Sequence, residues 1–138
     1  MARAGELLAA RGAKRVVPLP VSAPFHSPLM APAREALAPV LAALPFAELV
    51  APLYNNVDAA PVTAGAAVRD GLVRQVDAPV RWVELVARMA ADGFDTFVEI
   101  GPGSVLSGLV RRIVRSAATV QVGTAEQVEV YLENAVKS

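Results

Sequence analysis

The sequence predicts an α/β fold with a largely parallel sheet, and three observations carry the prediction. Short apolar, β-branched runs alternate with stretches of helical spacing along the chain. The 138 residues are 54% hydrophobic but only 5% aromatic, so the interior is built from Ala, Val and Leu. Glycine, proline and Asx residues punctuate the boundaries between runs. The length suits a single core.

The elements follow in order. Residues 3–12 read as a short helix stopped by Gly12. Val16 to Ser22 reads as a strand, placed at a sheet edge by Pro18 and Pro20, which cannot donate to a ladder. Leu29 to Leu44 has helical spacing, with Pro32 in the first turn and Pro39 expected to kink it. Leu49 to Tyr54 is a strand candidate running into the polar turn Asn55-Asn56-Val57-Asp58. Thr63 opens a helix through Val68, Leu72 and Val73. Asp77-Ala78-Pro79-Val80 breaks it, and Trp82 to Ala91 forms the next, closed by Asp92-Gly93. Thr96 to Ile100 is a buried-looking strand. Gly101-Pro102-Gly103 turns into a helix through Val105, Leu109, Ile113 and Val114. A strand at Thr119 to Val122 and a helix at Ala125 to Val136 complete the chain.

Composition excludes several functions. Thirteen basic residues balance thirteen acidic ones, so no broad basic field attracts nucleic acid. Only Lys14-Arg15 and the run Arg111-Arg112 to Arg115 are clustered enough to meet phosphates. The chain has no cysteine, which removes disulfides, a thiolate nucleophile and Cys-type zinc sites. With one histidine and no suitably spaced carboxylates, no metal site is expected. The apolar runs fall short of membrane-spanning length and the first residues lack a signal-peptide layout. A cytoplasmic protein without metal or redox cofactor is the expectation.

The single histidine, His26, stands in Leu19-Pro20-Val21-Ser22-Ala23-Pro24-Phe25-His26-Ser27-Pro28, a proline-bracketed turn ahead of a helix. Loops on a rigid scaffold often carry reactive groups, and imidazole moves protons near neutral pH. By itself the residue fits a structural histidine at a strand end ahead of a catalytic one. Glu99-Ile100-Gly101-Pro102-Gly103-Ser104 is a strand, a tight turn and a helix start, an arrangement able to cradle anions. The phosphate fingerprints fail there: Leu109-Val110 stands where a P-loop needs Lys-Ser/Thr, and Leu106 where a dinucleotide motif needs glycine. A close-packed turn is the better reading of those glycines alone. Asn55 to Asp58 fits a local turn, Gln75 a solvated helix residue, and Trp82 a core residue. No serine lies in a Gly-x-Ser-x-Gly elbow.

Taken in order, Gly12-Ala13-Lys14-Arg15, Val21-Ser22-Ala23-Pro24-Phe25-His26-Ser27, Tyr54-Asn55-Asn56-Val57-Asp58, Arg74-Gln75 with Pro79-Val80-Arg81-Trp82, and Glu99-Ile100-Gly101-Pro102-Gly103 closely resemble the C-terminal half of malonyl-CoA:acyl carrier protein transacylase. The resemblance implies a hydrolase-like three-layer α/β core for residues 23–138, preceded in 1–22 by the last helix and strand of a ferredoxin-like small subdomain. It also implies malonyl transfer from CoA, the thioester substrate, to the phosphopantetheine thiol of acyl carrier protein through a malonyl-serine ester. His26 falls on the family's histidine, the general base and acid. Gln75 falls on a glutamine whose backbone carbonyl orients that imidazole. Lys14 and Arg15 fall on basic residues near the CoA phosphates or the carrier protein. Phe25 falls where a bulky ring accompanies malonyl selectivity over methylmalonyl. The family's nucleophile serine, oxyanion loop and malonyl-pairing arginine belong to an N-terminal half with no counterpart here. The chain is therefore expected to be a C-terminal fragment, Met1 an artificial or alternative start, and the missing half a partner. A polyketide synthase acyltransferase domain and a non-catalytic carrier-binding half-domain remain as alternatives.

Overall fold

The computed structural model of the chain describes residues 2–18 and 21–135. Helix α1 spans Ala2–Ala10. A single 3-10 turn at Pro28–Met30 leads into α2, Ala31–Ala42. Proline in the first turn of each costs nothing, because those N–H groups have no intrahelical partner. Pro39 lies inside α2, which continues through it to Ala42.

Strands β1 (Leu53–Asn55) and β2 (Ala60–Val62) form a two-stranded antiparallel sheet in which Leu53 faces Val62 and Asn55 faces Ala60. Four residues join them, too few for the crossover that a parallel pair requires. Helices α3 (Gly65–Arg74) and α4 (Trp82–Ala91) follow. Gly93, at φ +99°, turns the chain out of α4 in a conformation that a side chain would strain.

Strand β3 (Thr96–Ile100), helix α5 (Val105–Ile113) and strand β4 (Ala118–Val122) make a βαβ unit. The two strands pair in parallel, with Thr96 opposite Ala118 and Ile100 opposite Val122. Helix α6 (Ala125–Ala135) packs back on β4. Leu85, Val86, Val110 and Val122 are buried, so the core lies where α5 packs between the parallel pair and α4.

Three expectations are corrected. Val16 to Ser22 forms no strand among its described residues (Leu19 and Pro20 lie outside them). Pro18 and Pro20 remove two ladder donors, and no described strand pairs with the segment. Of the helix and strand expected within residues 1–22, the described residues form helix α1 and no strand. The strand sought at Leu49 to Tyr54 begins only at Leu53, and its partner β2 falls on residues that carried no strand expectation. The strands do not form one sheet: the expected parallel pairing is a short two-stranded pair, and a separate antiparallel hairpin accompanies it. Val136, the expected end of α6, lies outside the described residues.

The molecule exposes 10047 Å², whereas a folded monomer of this size exposes about 6,800 Å². The excess includes large apolar side chains, with Ile100 80%, Leu29 75% and Val105 72% exposed. Parallel strands normally lie buried within larger sheets covered on both faces.

Candidate active site

His26 is positioned by a turn closed on itself. Ser27 Oγ donates to the Pro24 carbonyl at 2.7 Å, and the Met30 N–H donates to the Ser27 carbonyl at 2.9 Å. His26 itself sits at φ +55°. Left-handed backbone costs a non-glycine residue about 1–2 kcal/mol, and such outliers gather at functional sites.

The exposed imidazole reaches across 49 residues of sequence, placing Nδ1 3.0 Å from the Gln75 carbonyl oxygen. Gln75 is the C-cap of α3, its own N–H donating to the Gly71 carbonyl at 2.9 Å. Helix ends leave their last carbonyls without intrahelical partners, which is why this oxygen is available. A carbonyl only accepts, so Nδ1 carries the proton and Nε2 keeps its lone pair.

The residues around Gln75 are tied down. Arg74 donates from Nη1 to Asp58 Oδ1 and from Nη2 to Asp58 Oδ2, each at 2.6 Å. Asn55, buried in the hairpin, donates from Nδ2 to Asp58 Oδ2 at 2.9 Å and accepts the Asp58 N–H at 2.7 Å. The Arg74 and Asn55 hydrogen bonds hold the Asp58 carboxyl down at about 2. Arg81 adds bonds from its N–H to the Asn56 carbonyl at 3.0 Å and from Nη1 to the Asp58 carbonyl at 3.1 Å. Two residues past Gln75, Asp77 pairs with Arg34 of α2 at 2.9 Å. Residues 55–58 therefore form the structural turn their composition indicated.

The Gly-Pro-Gly turn holds no free anion cradle. Glu99, at the end of β3, accepts the Leu106 N–H at 3.0 Å and the Ser107 N–H at 2.8 Å. Its carboxylate fills the place at the α5 N-terminus that a phosphate would need. Lys14 and Arg15 are exposed in an irregular segment and form no ion pair among the described residues. No contact joins them to His26 or Gln75. Phe25 is 57% exposed, so it is not a core anchor in this chain. A groove of about 500 Å³ lies between β4 and α6 against Val120, Val130 and Tyr131, and neither His26 nor Gln75 lines it.

The sequence singled out His26 and Gln75, and the structure joins them. It did not single out Asp58, Arg74, Arg34, Asp77 or Glu99 as partners. Only the Asn55-x-x-Asp58 spacing carried a local signal, and that signal said turn.

The class the fold and site define is an α/β scaffold that holds an exposed imidazole against a main-chain carbonyl. Its homologues carry the name malonyl CoA-acyl carrier protein transacylase. The Bacillus subtilis protein is 43% identical over 130 residues, covering 94% of this chain and 41% of that protein. The Escherichia coli K12 protein is 51% identical over 112 residues, covering 81% and 36% respectively. An acyl carrier protein S-malonyltransferase structure from Vibrio cholerae matches with a TM-score of 0.86 and 44% identity, over 94% of this chain and 42% of that one. A malonyl-transacylase solved in complex with a type II PKS acyl-carrier protein matches with a TM-score of 0.88 and 43% identity, over 96% and 43%. No protein-family model matches the chain. The chain spans about two fifths of the length of these relatives and corresponds to their C-terminal portion.

Proposed function

We propose that this chain supplies the histidine half of a site that transfers malonyl from malonyl-CoA to the phosphopantetheine thiol of acyl carrier protein. The observation that carries the reading is the Nδ1 contact of His26 with the Gln75 carbonyl at 3.0 Å, which leaves Nε2 as a base. In the forward half-reaction, Nε2 takes the proton of a serine hydroxyl as its oxygen attacks the thioester carbon. The carbon–sulfur bond breaks, the CoA sulfur leaves with the proton from Nε2, and a malonyl-serine ester remains. In the second half, Nε2 takes the proton of the carrier thiol, whose sulfur attacks the ester. The proton returns to the serine oxygen as it leaves. The Gln75 carbonyl stabilises the imidazolium, a task a carboxylate performs in the usual triad.

The serine comes from outside this chain, from the portion of the transacylases that the chain does not span. The surplus exposed surface, about 3,200 Å² over a monomer of this size, is of the order of an obligate interface. The same reading makes Phe25 the wall that excludes a methyl branch, worth about 10–200-fold in selectivity. Lys14 and Arg15 then approach the CoA phosphates or the carrier, in the cytoplasm and without a metal or redox cofactor. A polyketide carrier is the second reading, favoured by the similarity to a transacylase solved with a type II PKS carrier protein.

The test is intact-mass measurement with malonyl-CoA. The chain alone is expected to gain no malonyl group. Mixed with the N-terminal portion of a homologue, it should yield a malonyl ester on that portion. His26→Ala should cut turnover by about 10⁴–10⁶. A malonyl adduct on a serine of this chain would overturn the proposal.

A further inference from the structure

The residues around His26 are held by polar ties, because no described residue before Asn55 is buried. Two of these ties bracket Gln75 in sequence. Arg74, immediately before it, is forked onto Asp58 of the hairpin turn. Asp77, two residues after it, is paired at 2.9 Å with Arg34 in the first turn of α2, and its side chain is only 15% exposed. Helix α2 is joined to His26 by one 3-10 turn. The first pair therefore fixes the end of α3 to the β1–β2 hairpin, and the second fixes the segment carrying His26 to the segment carrying Gln75.

We infer that Arg74–Asp58 and Arg34–Asp77 are positioning pairs that clamp the Gln75 carbonyl onto Nδ1 of His26, and so keep Nε2 as the proton acceptor. Exposed ion pairs contribute little to global stability, about 0–1 kcal/mol. Their worth here is geometric: a carbonyl displaced by an ångström no longer holds the Nδ1–H tautomer. None of the four side chains touches the imidazole. The catalytic consequence rests on the transacylase reading, whereas the tautomer is a property of this chain alone.

Because His26 is the only histidine, the tautomer can be read directly. The chain is labelled with ¹⁵N-histidine, and long-range ¹H–¹⁵N correlations in alkaline buffer distinguish Nδ1–H from Nε2–H. The unaltered chain should populate mainly the Nδ1–H form. Asp77→Asn and Asp58→Asn should each move the ratio toward the Nε2–H form preferred by free imidazole, by about three- to fivefold, the scale of an exposed ion pair. The charge-swapped pair Arg34→Asp with Asp77→Arg should restore the ratio, and Asp70→Asn, whose Arg69 partner lies on its own helix, should leave it unchanged. Arg34→Lys is the milder variant should Asp77→Asn lose its circular-dichroism helix signal. Variants that keep their helix signal and an unchanged ratio, or a parent chain in the Nε2–H form, would overturn the inference. Neither result bears on whether the assembled enzyme transfers malonyl.

Discussion

Leu53 to Val122 contains every buried residue among those described, whereas Ala2 to Pro52 contains none. The first region has a βαβ unit, a hairpin and two helices that bury Val68, Leu85, Val86, Val110 and Val122 together. The second has two helices with no buried residue, and between them the described residues form one 3-10 turn and no strand. His26 belongs to the exposed region and Gln75 to the packed one, so the candidate site is assembled across the boundary. Packing places helix α3, whose C-terminal end carries the carbonyl. Hydrogen bonds and ion pairs bring the imidazole to it.

The contrast can be broken most sharply in the core. Leu85 is 5% exposed, and Leu85→Ala should cost about 2–5 kcal/mol through lost burial and a cavity. Leu29→Ala, at an exposed position of the other region, should stay within about 0.5 kcal/mol. Hydrogen exchange would show both, with β3 and β4 amides losing protection only in the first variant. Equal losses for the two would show that the regions share one core.

A smaller effect concerns the polar tie inside the packed region. Asp58 titrates at about 2 in the fold, against about 3.9 in an unfolded chain. A depressed carboxyl contributes stability that is fully present above the unfolded value and is lost as pH falls through the folded one. Stability should therefore drop between about pH 4 and pH 2 by up to about 1 kcal/mol, allowing for solvent screening of a partly exposed pair. Asp58→Asn should lower stability at neutral pH and flatten this acid limb, as urea unfolding at a series of pH values would show. An unchanged acid limb would mean that another carboxyl is responsible.

The smallest effect is at the hairpin turn. Ala59 holds φ +51° and is 8% exposed. Ala59→Gly relieves left-handed strain but loses a buried methyl and adds unfolded-state entropy. The net change should lie within about 1 kcal/mol in a thermal melt, and a larger loss would make the methyl part of the core.

Legibility in the sequence follows the same division. Trp82–Ala91 and Thr96–Ile100 form the helix and strand that were predicted, because their residue patterns and their Gly and Pro boundaries agree. The strand expected to be buried nevertheless leaves Ile100 80% exposed, because no further described strand or helix covers it. Val16 to Ser22 was misread because an apolar run signals a strand only where a ladder forms, and its two prolines lack the N–H groups a ladder needs. Ala60-Pro61-Val62 was missed because Pro61 argues against a strand, yet it is tolerated in this short two-stranded hairpin opposite Tyr54. Glu99 gave no local sign that it would fill the α5 N-terminus, since its partners lie seven and eight residues on, across the turn.

The sequence by itself determined the α/β class, the helix and strand of the packed region, the absence of thiol chemistry, and His26 as the only imidazole. Its motif order also marked Gln75. Tertiary structure alone decided that the Gln75 carbonyl meets Nδ1, that Arg74 and Asp77 anchor the residues beside it, and that the glycine turn closes on a carboxylate. Those facts depend on contacts between residues far apart in the chain. Propensity and periodicity are local quantities, and they do not specify which distant hydrogen-bonding groups satisfy one another.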